Sequence, residues 1–303
     1  MTNFKIIQKR NIWLSISVIL FVVFASALFV WGFKYGIDFT GGSLLEVKFI
    51  GSRPTVNQVE TGLADLKLSS LTIQPVGDQD MMLKFQETSE ETHQAALSEL
   101  DELAKKENKN NLVEEQRYES VGPSIGEELK IKSLWAIFFA LIAMLSYITY
   151  AFRKVSRPVA AWKYGSAAII AMLHDVVITM GVFAFLGHYY GTEINTAFVA
   201  AVLTVLGYSV HDTIVVFDRL RENLPKSNED FEGTVNVSLN QTIVRSLNTS
   251  LTVLLVLAAI IIFGGASIRT FVLALAIGIF IGTYSSIFVA SPILVVWEKL
   301  GKK

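Results

Sequence analysis

Six long apolar stretches, separated by polar segments, set the pattern of this 303-residue chain. A run of about 20 apolar residues is long enough to cross the ~30 Å hydrocarbon core of a bilayer as a helix. We therefore predict an α-helical membrane protein with six transmembrane helices. The predicted spans are residues 12–33, 133–152, 165–186, 195–217, 244–263 and 270–297.

The first apolar stretch has an alternative interpretation as a cleaved signal peptide, because Ala25-Ser26-Ala27 resembles a cleavage site. The apolar run continues past this point through Leu28 to Trp31. This continuation favours an uncleaved first transmembrane helix.

The only long polar segment, residues 34–132, alternates between strand and helix periodicity. The order β-α-β-β-α-β is that of a ferredoxin-like unit, so we predict an α+β ferredoxin-like domain between the first two spans. We also expect the segment 54–121 to fold as a separate soluble domain. Strands are predicted at 43–50, 71–76, 81–86 and 112–121, and helices at 54–66 and 89–106.

Two polar segments next to predicted spans carry helical patterns of their own. Residues 125–132 indicate a short amphipathic lead-in to the second span. Residues 218–246 form a polar loop in which Val235, Leu239 and Ile243 recur every four residues, which favours a helix on the membrane surface. The predicted division is residues 1–33 with the first span, 34–132 as the domain, 133–298 with the remaining spans, and 299–303 as a tail.

The distribution of basic residues predicts the orientation. Segments on one side of the predicted spans hold 14 Lys and Arg, and the short loops on the other side hold only Arg269. Positive residues favour the cytoplasm, so both termini are predicted there, in the inner or plasma membrane, with residues 34–132 outside. That domain has 11 basic and 18 acidic residues, a net charge of −7, which argues against nucleic acid as a partner.

The composition leaves little room for catalysis. Apolar residues make up 52% of the chain, its mean hydropathy is +0.47, and it has no cysteine. The four histidines lack a metal-binding spacing, and no nucleophile–base arrangement is present. We therefore expect neither an enzyme nor a metal or organic cofactor.

Ionisable residues inside two predicted spans are the candidate functional site. A carboxylate in the middle of a bilayer costs roughly 2.5–3.5 kcal/mol, so Asp212 in span four indicates an ion pathway. Tyr208, His211 and Asp212 are spaced to share one helix face. His174 and Asp175 lie in the middle of span three. The alternative is a helix–helix hydrogen bond with no role in ion movement.

Arg245, at the entry to span five, is the candidate partner of Asp212. By helical rise it lies roughly 5 Å deeper toward the cytoplasm, a difference that a long side chain can cover. Its alternative role is an interfacial anchor. Gly207, Gly278 and Gly282 are small residues that permit close helix contact.

Five motifs, in order over nearly the whole chain, resemble the SecF branch of the SecD/SecF protein-export family. They are Gly36-Ile-Asp-Phe-Thr-Gly-Gly42, Val121-Gly-Pro-Ser-Ile-Gly126, the run from Leu206 to Asn223, the run from Asn236 to Ser250 with Phe263-Gly-Gly265, and Gly282-Thr-Tyr-Ser-Ser286. The motif positions include Gly36, Asp38, Gly41, Gly42, Gly122, Pro123, Gly207, Tyr208, Asp218, Arg219, Arg221, Glu222, Asn223, Thr249 and Ser250.

The resemblance implies a fold of the resistance–nodulation–division superfamily and a role in export driven by the proton motive force. It implies SecD as the partner in a heterodimer, together with the SecYEG translocon, a YajC-like accessory subunit and exported unfolded preproteins, with protons as the coupling ion. Asp212 and Arg245 match the family's proton-pathway residues. His211 stands where many members have Asn, and Ser246 where many have Thr, so a role of His211 in proton transfer stays open.

Two other functions compete with this one. A half-transporter of the same superfamily would export a small molecule or lipid, but this chain has one six-helix half and one small domain. A purely structural subunit would tolerate replacement of Asp212.

Overall fold

The computed structural model describes residues 4–86, 89–152 and 160–300. Arg153, Lys154, Arg157, Lys302 and Lys303, which contribute to the predicted orientation, lie outside these residues, as does most of the predicted tail. The chain divides into two compact units, one formed by residues 1–34 and 134–303 and the other by residues 35–133.

Helices dominate the first unit and a four-stranded sheet the second. In chain order the elements are α1 (Arg10–Trp31), α2 (Ile37–Thr40), β1 (Gly42–Ile50), α3 (Val56–Gly62), β2 (Thr72–Val76), β3 (Asp80–Phe85), α4 (Glu90–Glu107), β4 (Leu112–Val121), α5 (Pro123–Ala151), α6 (Ala161–Tyr190), α7 (Thr196–Asn223), α8 (Phe231–Phe263), α9 (Ala266–Ser285), a π turn (Ser286–Ala290) and α10 (Ser291–Leu300). Short 3₁₀ turns lie at Ile7–Lys9 and Ala64–Leu66.

Within the described residues, six helical segments are long and apolar enough to cross a membrane, which confirms the predicted number. Their ends follow from local chemistry. The Asn195 side chain accepts a hydrogen bond from Phe198 N and caps α7, and Asp230 caps α8 in the same way through Gly233 N. The preceding helix, α6, ends at Gly191, which has a left-handed backbone with φ of +70°.

Two predicted boundaries are wrong because helices continue through polar sequence. The lead-in at 125–132 and the second span form one helix, α5. The predicted loop at 218–246 is largely helical, since α7 continues to Asn223 and α8 begins at Phe231. Only residues 224–230 separate the two helices. The predicted surface helix is therefore the first half of α8, and its polar residues Asn236, Ser238 and Thr242 are buried.

The last span consists of α9, the π turn and α10. Pro292 lies just after the π turn and has no N–H, so it cannot make the α-helical bond to the carbonyl of residue 288. A wider turn accommodates this missing bond without ending the helix. The turn begins at Ser286, directly after Ser285.

The second unit has the predicted ferredoxin-like topology. Its antiparallel sheet has the strand order β2-β3-β1-β4. Leu45, Val47 and Phe49 of the central strand β1 are fully buried in a core that also holds residues of α3 and α4. The segment 54–121, which we expected to fold alone, omits β1, an internal strand of this sheet; the compact unit extends over residues 35–133.

Candidate functional site: two buried carboxyl groups

Asp175, in the middle of α6, is completely buried. Its Oδ2 accepts hydrogen bonds from Ser209 Oγ of α7 and Ser285 Oγ of α9, both at 2.6 Å. Its Oδ1 lies 3.0 Å from Nδ1 of the neighbouring His174. Three helices thus contribute polar groups to this one carboxyl group.

Asp212, on α7, is also buried, with 8% of its surface exposed. Ser246 Oγ of α8 donates to Oδ1 at 2.6 Å. The hydroxyl of Ser286, the first residue of the π turn, donates to Oδ2. Over the described residues, no Lys, Arg or His lies within ion-pair distance of Asp212.

Serines connect the two carboxyl groups. Ser209, a partner of Asp175, lies one helical turn before Asp212. Ser285 and Ser286 are adjacent, and one serves Asp175 while the other serves Asp212. We expected the two acids to lie on one pathway without touching. They are linked through the hydroxyl groups of the adjacent Ser285 and Ser286 and of Ser209, one helical turn from Asp212.

A second chain of hydroxyl groups adjoins this region. Tyr208 OH lies 2.9 Å from Ser250 Oγ, which lies 2.5 Å from Thr283 Oγ1. Thr283 Oγ1 in turn donates to the carbonyl of Ile279. These contacts join α7, α8 and α9 beside the carboxyl groups.

Glycines let α9 approach α7 closely enough for these contacts. A Cβ added to Gly278 would lie 2.2 Å from Val205 Cγ2, closer than real atoms approach. A Cβ on Gly282 would lie 3.2 Å from Ser209 Cβ and 3.6 Å from Asp175 Oδ2. The close contact predicted for these two glycines is present, whereas a Cβ on Gly207 would meet nothing within 4 Å.

His174 has one ring nitrogen without a visible role. It is buried, and its Nε2 has no hydrogen-bond partner in the described part of the chain. Its ring stacks at centroid distances of 6.4 Å against Phe21 and Tyr284. The imidazole therefore interacts with the site through Nδ1 and Asp175.

Two predicted site residues lie away from the carboxyl groups. His211 is exposed, so it does not share the buried face of Asp212 as its spacing suggested. Arg245 is exposed and forms no ion pair with Asp212. Its neighbour Ser246 points inward instead, because successive helix residues are about 100° apart. Arg245 lines an open polar cavity of ≈ 370 Å³ that also contacts Asp218.

The charged end of α7 forms local pairs. Asp218 pairs with Arg221 at 2.6 Å, and Arg219 pairs with Glu222 at 2.8 Å. Asn223 Nδ2 lies 2.9 Å from both Ser238 Oγ and Gln241 Oε1 of α8. Asn223, together with Arg219 Nε, which donates to Gln241 Oε1 at 2.6 Å, joins α7 to α8 beyond the buried acids. Thr249, further along α8, donates to the Arg245 carbonyl.

The two glycine-containing motifs of the second unit pack against each other. Gly41 has φ of +75°, and a Cβ there would lie 2.8 Å from Pro123 Cα. A Cβ on Gly126 would lie 3.0 Å from Gly41 N. Gly42 follows with φ of +124° and starts β1, while Gly36 and Asp38 begin α2. The Gly122 carbonyl accepts the Ile125 and Gly126 amides at the start of α5. Close backbone approach explains why glycine occupies positions 41, 42 and 126, and the positive φ adds to this at the first two.

The serines that hold the carboxyl groups were not among the residues predicted from the sequence. Ser246 was noted only as a departure from a family pattern, and Ser285 and Ser286 only as part of a motif. Ser209 lies three residues before Asp212, a spacing that places both on one helix face and was the available signal.

Fold and site together define a class: a six-helix membrane protein with a ferredoxin-like domain after its first helix and two acids buried between its helices. The model of the family described as protein export membrane protein SecD/SecF, C-terminal, matches residues 102–300. The SecD/SecF GG motif matches residues 26–49. The chain belongs to the SecD/SecF family of protein-export membrane proteins.

Relatives agree over nearly the full length. Protein translocase subunit SecF of Thermobaculum terrenum is 43% identical, covering 97% of this chain and 93% of the relative. The subunit of the same name from Anaerolinea thermophila is 37% identical, covering 97% and 94%.

Solved structures of SecDF have the same fold. SecDF of Thermus thermophilus, a translocon-associated membrane protein, superimposes with a TM-score of 0.80 at 33% identity. The match covers 98% of this chain but 39% of the SecDF chain. SecDF in a super-membrane-facing form gives a TM-score of 0.69 at 32% identity, covering 40% of that chain.

Proposed function

We propose that this chain is a SecF-type subunit that couples proton movement to the export of unfolded polypeptides. The observation that supports this proposal is the pair of buried acids, Asp175 and Asp212. Among the residues that the structure describes, their side-chain partners are hydroxyl groups and His174, with no Lys or Arg. A buried acid with a permanent basic partner would be fixed in its charged form. One whose partners carry no permanent charge is suited to gain and lose a proton.

Asp212 is the coupling carboxyl group in this proposal, and Asp175 with His174 forms the adjoining part of the pathway. Proton binding selects a conformation only if the two conformations hold the proton with different affinity. Arg245 supplies that difference if it reaches Asp212 in a second conformation. The driving energy is roughly 2.3 kcal/mol per charge per 100 mV of membrane potential.

The partner in this proposal is a SecD-type chain. Support comes from the match to Thermus thermophilus SecDF, of whose chain 39% corresponds to this chain. The SecYEG channel, a YajC-like subunit and preproteins are the further proposed partners. We further propose that both termini are cytoplasmic and that the domain at 34–132 is external, because the basic residues of the sequence are concentrated on the side of the termini.

Replacing Asp212 by Asn tests the proposal, because the amide keeps the shape and does not titrate. Vesicles that hold the channel and this chain with its partner are assayed for export of a secreted protein, with and without a proton gradient. We expect Asp212→Asn to remove most of the gradient-dependent stimulation while the complex still assembles. Asp218→Asn, on the same helix but paired with Arg221, is the matched control and keeps the stimulation.

Comparing Arg245→Ala with Arg245→Lys separates a coupling role of this side chain from an anchoring role. We expect Arg245→Ala to lose the stimulation. Lysine is an adequate interfacial anchor, so we expect Arg245→Lys to insert into the membrane but to restore only part of the coupling. Wild-type stimulation in Asp212→Asn would refute the assignment of this carboxyl group.

A further inference from the structure

Ser285 and Ser286 each have two acceptors within hydrogen-bond distance. Ser285 Oγ lies 2.6 Å from Asp175 Oδ2 and 3.1 Å from the carbonyl oxygen of Gly282. Ser286 Oγ contacts Asp212 Oδ2 and lies 3.0 Å from the carbonyl oxygen of Thr283. A hydroxyl group has one proton, so each serine donates to only one of its two acceptors at a time.

The two charge states of a carboxyl group need opposite partners. An ionised carboxylate only accepts hydrogen bonds, so it needs a donor. A protonated carboxyl group has an O–H that needs an acceptor, and a buried polar group without a partner is unfavourable. A donor that cannot rotate therefore satisfies an oxygen of the ionised carboxylate but not the O–H of the protonated acid.

We propose that Ser285 and Ser286 are positioning residues that satisfy Asp175 and Asp212 in both charge states by rotating their hydroxyl groups. When the acid is ionised, the serine donates to it. When the acid is protonated, the serine turns its proton to the carbonyl of Gly282 or Thr283, and its oxygen accepts the acid proton. This inference rests on the proposed proton coupling and adds the groups that make protonation of a buried site reversible.

The other two serines at the site differ in this respect. Ser209 and Ser246 have no acceptor besides the carboxyl group within the residues described. The carbonyl of Gly282 already accepts Ser286 N but has a second lone pair for the Ser285 hydroxyl. Switching is thus specific to the two adjacent serines at the start of the π turn.

Infrared difference spectroscopy of the complex tests the proposal directly. The C=O stretching band of each protonated acid is assigned by its loss in Asp175→Asn or Asp212→Asn. We expect the Asp212 band to move to higher wavenumber in Ser286→Ala, because the acid O–H has lost its acceptor. The Asp175 band should respond in the same way to Ser285→Ala.

Ser291→Ala is the matched control. Ser291 is buried in the same span, and its hydroxyl donates to the backbone carbonyl of Ser286 at 3.3 Å. A role in packing alone would make all three serine variants equivalent. We expect Ser291→Ala to leave both acid bands in place.

Export supplies the functional readout. Gradient-stimulated export should fall about tenfold in Ser285→Ala and in Ser286→Ala, because each variant loses one hydrogen bond to a charged group. It should fall less than about twofold in Ser291→Ala. Acid bands that stay in place in both variants would overturn the role of the serines and leave the proposed function standing. If no acid band disappears in Asp212→Asn at any pH at which the complex stays folded, both proposals fall.

Discussion

Asp212 and Asp218 lie six residues apart on one helix and have different surroundings. The first is buried between the hydroxyls of Ser246 and Ser286, and the second is partly exposed and paired with Arg221. Ionisable groups suited to titrate are those whose partners leave both charge states accessible. The same residue type is therefore suited to the proposed proton transfer at position 212 and forms a structural ion pair at position 218.

Glu46 of β1 gives a residue-scale prediction outside the membrane. It is buried, and burial raises its pKa above the ordinary value of 4.5, although Arg117 on β4 lowers it. The folded state then binds the proton more tightly than the unfolded state, so stability declines as pH rises from 4.5 through the raised pKa. Glu46→Gln should remove this decline and raise the melting temperature at neutral pH.

Thermal unfolding of the second unit over a pH series checks this prediction. Glu114→Gln, at an exposed position of β4, is the control and should keep the wild-type pH dependence. A Glu46→Gln variant that melts below wild type at neutral pH would mean that attraction to Arg117 outweighs the cost of burial.

At the scale of elements, the contact between α7 and α9 depends on glycine. We predict that Gly278→Ala destabilises the helical unit by about 1–3 kcal/mol, because the new Cβ collides with Val205. Gly207→Ala is the matched variant in open space and should stabilise α7 by about 0.5–1 kcal/mol. Denaturant titration of the purified chain measures both. Equal effects of the two substitutions would contradict a packing role for Gly278.

Element boundaries show what sequence periodicity can predict. The β-α-β-β-α-β order and the six spans followed from apolar spacing, because burial of one face fixes that spacing. The continuation of α7 and α8 through residues 218–246 was missed, since a search for apolar runs stops where buried residues become polar. Serine partners were missed for a related reason: hydroxyl groups are common in membrane helices, and their acceptors are set by tertiary contact.

On the scale of the whole molecule, the second unit has a core of its own. Buried residues of β1, β3, α3 and α4 form one cluster within residues 45–104. We predict that the excised segment 35–133 unfolds in a single cooperative thermal transition, as expected for a unit of about 100 residues. The shorter segment 54–121 lacks the central strand and should show no transition, which circular dichroism can test. Cooperative unfolding of the shorter segment would show that β1 is dispensable.

The π turn at Ser286–Ala290 is a local insertion in the helix of the last span. It holds one residue more than an α-helical turn, so the residues before it are rotated by about 100° and shifted by about 1.5 Å relative to an unbroken α-helix. Because Ser285 and Ser286 lie where this offset begins, the turn sets the direction in which both hydroxyl groups point. In the proposed mechanism, one extra residue in the last span thereby aligns the partners of both carboxyl groups at once, while the helix on either side stays intact.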